Sequence, residues 1–257
     1  MANDPTIQRR STHLWTQLRL LTLFVLAAAA LLHSALGQAT KPAAPRADGE
    51  RLLEDGRTTL EASTLTAARA IFEQCLHHDT NNAVCYYDLA QTDFYLGRAQ
   101  EFQGHKQAAE QARDAAIDDV QHAIALNDQS SNAHALLADL YGAKISGMLS
   151  GMRYGPKANA ETQRALQLDP HNPQAFAVLG RKYLYAPTLF GGDIDKAINA
   201  FRQATTFDPQ YDEAFVWLAL AYRKKGDAQQ SQAALTQALH LNSRSAFALR
   251  VQSGATN

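Results

Sequence analysis

The stretch of sequence that decides the fold spans residues 213–239 and reads EAFVWLALAYRKKGDAQQSQAALTQAL. It starts with apolar residues at helical spacing, breaks at Gly226-Asp227 and resumes with an alanine-rich segment. Glycine commonly ends a helix and aspartate commonly starts one, so the stretch predicts two helices joined by a tight turn. Small residues at Ala219 and Ala238 allow the two helices to cross closely. The pattern therefore predicts an antiparallel helix pair.

The same pattern occurs four times in one register. The first helix of each unit has a leucine followed by a small residue, at Leu89-Ala90, Leu137-Ala138, Leu179-Gly180 and Leu218-Ala219. The second helix has two small residues, at Ala116 and Ala123, Ala158 and Ala165, Ala197 and Ala204, and Ser231 and Ala238. A half-matching unit precedes them, with Ala68 and Phe72 in its second helix and residues 52–60 as the partner helix. Such an array buries its core between neighbouring units and uses its surface to bind.

The units resemble the tetratricopeptide repeat. Their closing positions, Thr80, Asp128, Pro170, Pro209 and Ser243, are separated by 48, 42, 39 and 34 residues, and 34 is the tetratricopeptide period. The aromatic residue, Leu-small pair, tyrosine and Gly-Asp turn of the last two units match that family, and the resemblance covers about residues 50–245. It implies an all-α, right-handed α-solenoid of about five antiparallel helix pairs. The alternative is a generic alanine-rich helical bundle.

Three units have extra residues between their helices, at residues 98–111, 142–155 and 185–193. The first insertion has a helix-favouring composition and is expected to lengthen both helices of its hairpin by about two turns. The second contains four glycines and two methionines, which predicts a kinked helical extension or a mobile apolar loop. In the third, a proline ends one helix, two glycines permit a turn and Asp193 caps the next helix. Insertions in solenoids often lie on the binding face, although they also serve to cover exposed core.

These lengthened hairpins also resemble the helical-repeat domain of the regulator of microtubule dynamics family. The shared features are a Leu-Tyr-Gly sequence at residues 140–142, a Gly-Arg-Lys-Tyr sequence at residues 180–183 and the long insertions between helices. The resemblance implies a common architecture. It does not imply a microtubule role, because the N-terminal sequence predicts export.

The N-terminal sequence has the layout of a secretory signal peptide. Arg9, Arg10 and Arg19 precede an apolar run at residues 20–32, and Ala35-Leu36-Gly37 has small residues at the positions that a signal peptidase reads. We expect a signal peptide at residues 1–37, a flexible leader at 38–48, the repeat domain at 49–252 and a disordered tail at 253–257. The predicted location is the periplasm or the exterior. The alternative is an uncleaved anchor, although the apolar run is shorter than the roughly 20 residues of a spanning helix.

Composition and motifs argue against several classes of function. The formal net charge is −1, so nucleic acid is not expected as a partner. The sequence contains no glycine-rich phosphate loop, GxSxG elbow or HExxH motif, so no enzymatic activity, cofactor or metal is predicted. Contact with a membrane is expected only through the signal segment, if that segment stays uncleaved. The predicted function is a non-enzymatic scaffold that binds a protein or peptide through its concave groove.

The tetratricopeptide register assigns candidate partner-binding residues, because the first helices of such an array line the groove. They are Tyr87, Gln91, Phe94, Tyr95, Asp139, Arg181, Leu184, Tyr185, Arg223 and Lys224. The groove would be aromatic at one end and basic at the other, which suits a peptide with an acidic group or a C-terminal carboxylate. The alternative for each residue is an ordinary solvated helix face. A different function, binding of a small ligand for an envelope uptake system, would use a cavity lined by Met148–Met152 and residues 189–192.

Cys75 and Cys85 are the only cysteines, and the register makes them neighbours across the junction between two helices. In an oxidising compartment a disulfide there would fasten the first unit to the array. Two alternatives stay open. Both residues can be small buried thiols, or they can bind a metal together with His77 or His78, although that spacing matches no usual zinc pattern.

Overall fold

The computed structural model describes residues 45–254, and within this range the chain is entirely helical. It contains eleven α-helices. They are α1 (Pro45–Thr59), α2 (Ala62–His78), α3 (Ala83–Phe102), α4 (Lys106–Leu126), α5 (Ser131–Ala143), α6 (Met148–Leu168), α7 (Pro173–Tyr185), α8 (Ile194–Phe207), α9 (Asp212–Lys225), α10 (Ala228–Leu241) and α11 (Ala246–Gln252). A short 3-10 helix, Thr188–Phe190, lies between α7 and α8. None of the described helices is long and apolar enough to cross a bilayer. The predicted signal peptide at 1–37 lies outside the described residues.

The helices form five consecutive pairs, α1–α2 to α9–α10, and α11 covers the end of the last pair. Polar side chains start the helices: Asn82, Ser130, Asn172, Asp193, Asp227 and Ser245 each accept a hydrogen bond from a backbone N–H of the first turn. The small residues at the crossing positions are buried, except for the partly buried Ala158. At Gly180 even a methyl group would lie 2.5 Å from the ring of Phe201. The all-α repeat fold predicted from the sequence is confirmed.

The insertions are mostly helical. In the second unit α3 has 20 residues and α4 has 21, against 14 each in α9 and α10, which confirms two extra turns per helix. The second insertion extends the N-terminus of α6, so the helical alternative is confirmed and the loop alternative is wrong. In the third insertion α7 ends at Tyr185, Gly191 has a φ of 86°, and Asp193 caps α8, as predicted.

The first helix begins at Pro45, inside the leader predicted at residues 38–48. Proline is favourable in the first turn of a helix, where its missing N–H costs no hydrogen bond. The Arg46 guanidinium then forms ion pairs with Asp88 (Nε–Oδ2, 2.7 Å) on α3 and with Glu50 one turn further along α1. These contacts fix the start of α1, and they could not be read from the low apolar content of the leader.

A disulfide joins Cys75, near the end of α2, to Cys85, in the first turn of α3. Both cysteines of the chain are thereby used, so neither is a free thiol or a metal ligand in this structure. The first helix pair is also held by an apolar cluster in which Leu53, Leu65 and Phe72 pack with Leu89 of α3. The bond fastens the first unit to the second.

The first helix also contacts the last unit. Arg57 of α1 donates from Nη1 to Asp212 Oδ1 of α9 (2.9 Å), and Asn242, after α10, donates from Nδ2 to Thr58 Oγ1 (3.2 Å). Arg244 pairs with Asp55 at 2.8 Å. The array therefore closes on itself, and we call this contact between α1 and residues 212–244 the closing seam. Residues 45–254 form a compact unit with apolar clusters of its own, as expected of a folded domain.

Candidate binding cavity

A cavity of about 1250 Å³ opens on the side of the array formed by the first helices of the later units. Its lining includes Phe94 and Arg98 of α3, Asp139 of α5, Met148 and Met152 of α6, Val178, Arg181 and Tyr185 of α7, Pro187 and Phe190 after α7, and Trp217 of α9. The second and third insertions contribute much of this lining. They therefore border one cavity, as the small-ligand alternative required.

The walls of the cavity near the insertions are apolar and accessible. Met148, Met152 and Phe190 are all exposed, because they extend beyond the core that the helix pairs form. Pro156, in the middle of α6, also lines the cavity and has no N–H to donate to the carbonyl of Met152. This wall offers apolar contact area and a polarisable thioether surface that adapts to ligands of different shape.

The cavity lining also contains charged residues. Arg181 Nη2 lies 2.6 Å from Asp139 Oδ2, and its guanidinium lies 5.1 Å from the ring centroid of Trp217. Burial raises the pKa of the Asp139 carboxyl, and the charge of Arg181 opposes that shift without cancelling it. Four cationic residues, Arg98, Arg113, Arg181 and Lys182, line the cavity against two anionic ones, Glu101 and Asp139. The excess of positive charge favours a ligand with an anionic group.

Arg98 connects the cavity to a buried ion-pair network. Its Nη1 lies 2.8 Å from Glu213 Oε2, and Arg57 lies 3.6 Å from the other oxygen of Glu213. Burial raises the pKa of the Glu213 carboxyl, but the charges of Arg98 and Arg57 outweigh burial, and the pKa lies below its usual value. Glu213 is therefore ionised at neutral pH, and it holds Arg98 at the edge of the cavity.

Trp217 contributes an aromatic ring to the cavity lining. Its indole N–H is buried, and no acceptor for it is found among the described residues. The ring stacks near Phe201 and contacts Phe247 and Tyr185, so its position is fixed on several sides. The ring therefore gives the cavity an aromatic surface, while its N–H stays enclosed by the surrounding side chains.

Four of the candidate residues from the sequence come together at this cavity: Phe94, Asp139, Arg181 and Tyr185. The structure places Tyr87, Gln91 and Tyr95 elsewhere along the first helices, outside the cavity lining. Tyr87 packs on the apolar cluster around Leu137, and Tyr95 packs on the cluster around Leu53. Burial raises the pKa of both phenols, so they stay neutral at physiological pH.

The two basic candidates at the C-terminal end also lie outside the cavity lining. Arg223 donates from Nη2 to the carbonyl oxygen of Val251 (3.0 Å), and Lys224 donates from Nζ to the carbonyl oxygen of Leu184. Each side chain thus bonds the end of a neighbouring helix, where free carbonyls favour a cation. Leu184, another groove candidate, is buried in the core of the last units.

Sequence reasoning missed Arg98 and Trp217. Arg98 lies one helical turn after Phe94 on α3, so the i, i+4 spacing could have placed both on one face. Trp217 directly precedes the Leu218-Ala219 landmark, and only the neighbouring helices show that it faces the cavity. No group of metal-ligating residues is found within residues 45–254.

Residues 52–255 match the sequence profile of the family described as regulator of microtubule dynamics protein 1-3. A search of curated proteins found no match. Among solved structures, the thermophilic TPR protein TTC0263 of Thermus thermophilus is 20% identical, with a TM-score of 0.56, over 80% of this chain and 97% of that chain. YrrB, a TPR protein with an unusual peptide-binding site, is 17% identical, with a TM-score of 0.39, over 79% and 90% of the two chains.

Proposed function

We propose that this chain, which belongs to the regulator of microtubule dynamics protein family, is a non-enzymatic scaffold that binds a peptide segment of a partner protein. The observation that carries the proposal is the cavity of about 1250 Å³, whose lining combines exposed apolar side chains with more cationic than anionic residues. Small-molecule pockets commonly measure about 300–1,000 Å³, so this one suits several consecutive side chains. We carry over only the architecture of the family and not the microtubule role, since the chain is predicted to be exported.

The binding mode follows from the two kinds of residue in the cavity lining. Apolar side chains of the peptide would pack against Met148, Met152 and Phe190. An acidic side chain or terminal carboxylate would pair with Arg98 or Arg181, whose guanidinium groups provide several donors in a fixed plane. The apolar contacts would supply most of the affinity, and the arginines would set the orientation.

We also propose that the protein acts outside the cytoplasm, in the periplasm or beyond the cell. The signal-like sequence at residues 1–37 supports this location, and so does the Cys75–Cys85 disulfide, because such bonds persist in oxidising compartments. N-terminal sequencing of the protein isolated from its own cells tests the location. A mature chain beginning at Gln38 is expected, and an intact N-terminus on protein from the soluble cytoplasmic fraction would contradict export.

Trp217 provides a direct test of peptide binding. The chain has two tryptophans, so Trp15→Phe in the full chain leaves Trp217 as the single fluorophore. Peptides would be selected on the immobilised protein from a random library and titrated while the emission of Trp217 is followed. We expect selected peptides to combine apolar and acidic residues, to shift the emission and to saturate.

Matched variants identify the binding surface. Met152→Gln with Phe190→Ser is expected to weaken peptide binding by about tenfold or more, because apolar contact is lost. Val84→Ser removes a comparably exposed apolar side chain on α3, outside the cavity lining, and is expected to leave binding unchanged. If the selected peptides bind the cavity variant as tightly as the parent, the proposed site is wrong.

A second candidate function is binding of a small amphipathic organic anion. The observation that favours it is the convergence of both insertions on one cavity beside the aromatic ring of Trp217. Titration with 8-anilinonaphthalene-1-sulfonate, an aromatic anion, tests it through the same fluorophore. Displacement of this probe by small organic acids, with no peptide recovered from the library, would favour the small ligand over the peptide.

A further inference from the structure

The two insertions that border the cavity carry the six most exposed large apolar side chains among residues 45–254. They are Met148, Leu149, Met152, Tyr185, Leu189 and Phe190. Leu189 and Leu149 are the extremes, with 88% and 85% of their surface exposed, and neither lines the cavity. A single exposed leucine needs no explanation, but a concentration of such residues on one part of a surface marks an interaction site. We call these two segments, residues 144–157 and 185–192, the apolar rim.

The charge of the apolar rim and its flanks is uniformly positive. Residues 142–160 contain Lys144, Arg153 and Lys157 and no acidic residue, and residues 182–192 contain Lys182 and no acidic residue. Lys144 pairs with carboxylates of α4, but Arg153 and Lys157 are exposed and their cationic groups lie over the ring of Tyr154. Exposed leucines beside exposed cations form the composition of a surface that binds anionic lipid.

The geometry of the exposed side chains favours a bilayer over a protein. Leu149 lies in the first turn of α6 and Leu189 lies in a 3-10 helix on a different segment, and both are almost fully exposed. A protein partner needs a separate pocket for each side chain. A bilayer accepts protruding apolar groups at any spacing, because its apolar phase is fluid, and its anionic headgroups attract the surrounding cations.

We propose that the apolar rim docks the repeat domain peripherally onto an anionic lipid bilayer, with Leu149 and Leu189 in the interfacial region and Arg153 and Lys157 at the headgroups. No described helix could span a membrane, so docking is confined to the surface. Met148, Met152, Tyr185 and Phe190 of the apolar rim also line the cavity, but Leu149, Leu189, Arg153 and Lys157 do not, so substitutions at these four positions test docking separately from peptide binding.

Sedimentation with vesicles tests the proposal on a chain beginning at Gln38, which removes the apolar run at residues 20–32. Vesicles of equal parts phosphatidylglycerol and phosphatidylcholine are expected to bind the protein, and vesicles of phosphatidylcholine alone are expected to bind it far more weakly. Leu149→Ser with Leu189→Ser is expected to lower the partition coefficient by about tenfold or more. Arg153→Gln with Lys157→Gln is expected to lower it by about fivefold per charge and to reduce its salt dependence.

Controls separate docking from damage to the fold. Val84→Ser removes an exposed apolar side chain, 48% accessible, far from both insertions in sequence, and this variant is expected to bind vesicles as the parent does. Circular dichroism of every variant is expected to show the parent helix content. Equal binding to neutral and anionic vesicles, or no binding at all, would overturn the proposal. So would a double leucine variant that binds vesicles normally but loses capture of a protein partner, because the rim would then be a protein interface.

Discussion

The closing seam and the apolar rim differ in whether their side chains have partners within the fold. At the closing seam, buried and half-buried polar groups such as Arg57, Asp212 and Asn242 meet in specific pairs. At the apolar rim, large apolar side chains such as Leu149 and Leu189 remain in solvent. Specific polar pairs fix one arrangement of the chain, since each unmatched partner would be costly. Unpaired apolar side chains contribute little to folding. The seam is therefore a structural device, and the rim is available for binding.

Glu213 gives the largest expected effect on the seam. Glu213→Gln removes the charge that compensates Arg98 and Arg57, both largely buried, and is expected to lower the free energy of unfolding by about 3 kcal/mol in urea titrations. Glu54→Gln is the matched control, because Glu54 also pairs with Arg57 but is exposed. That change should cost less than about 0.5 kcal/mol. If the two substitutions lower the free energy of unfolding equally, the buried network is no more important for stability than an exposed ion pair.

The disulfide supports the N-terminal side of the seam. Cys75→Ser with Cys85→Ser is expected to lower the free energy of unfolding by about 2–3 kcal/mol, because the bond closes a short loop in the unfolded chain. The parent protein under reducing conditions should show a similar loss in thermal or urea unfolding. If the double variant unfolds like the parent, α1 and α2 are held by packing and the seam alone.

A carboxylate pair near the first units gives a smaller, pH-dependent effect. Burial and the nearby charge of Asp93 raise the pKa of Asp119 to about 6. The folded state therefore binds a proton more readily than the unfolded state, so this carboxyl makes stability fall as pH rises from about 4 to about 6. Asp119→Asn should stabilise the protein at pH 7 by about 1 kcal/mol, after allowance for solvent screening. Unfolding midpoints for both proteins at pH 4 and pH 7 measure it, and a gain that is the same at both pH values would contradict the assigned cause.

The smallest effect is expected at the rim. Leu189→Ser should change the free energy of unfolding by less than about 0.5 kcal/mol, because the side chain is already in solvent and loses no packing. The same substitution at Leu65, which is fully buried, should cost several kcal/mol. A large loss of stability from Leu189→Ser would mean that the rim packs against the rest of the fold. The rim would then be a structural element, as the seam is.

The fold could be predicted from the sequence because its signals are local. The Leu-small landmarks, the Asp193 cap and the Gly191 turn each act within a few residues, and the structure follows all of them. Because the landmarks recur along the chain, the prediction of one helix pair becomes a prediction of five. The start of α1 was harder to predict from the sequence, because Arg46 pairs with Asp88 on a helix much further along the chain.

The site was only partly predictable. The repeat register placed Asp139, Arg181 and Tyr185 correctly on the cavity side, because these residues lie on regular first helices. It did not identify Arg98, since the insertion in the second unit lengthens α3 beyond the repeat on which the register rests. It gave no sign of the closing seam either. Arg57 and Asp212 are 155 residues apart, and no local pattern links them.

The contrast between seam and rim is tested most directly by hydrogen exchange, measured peptide by peptide on the parent and on Glu213→Gln. In the parent, amides of α1 should be about as protected as those of α9, and residues 144–147 and 186–192 should exchange much faster. In the variant, exchange should rise together in α1, α9 and α11 and stay unchanged at the rim. If α1 already exchanges as fast as the rim in the parent while α9 stays protected, the array does not close on itself and the account is contradicted.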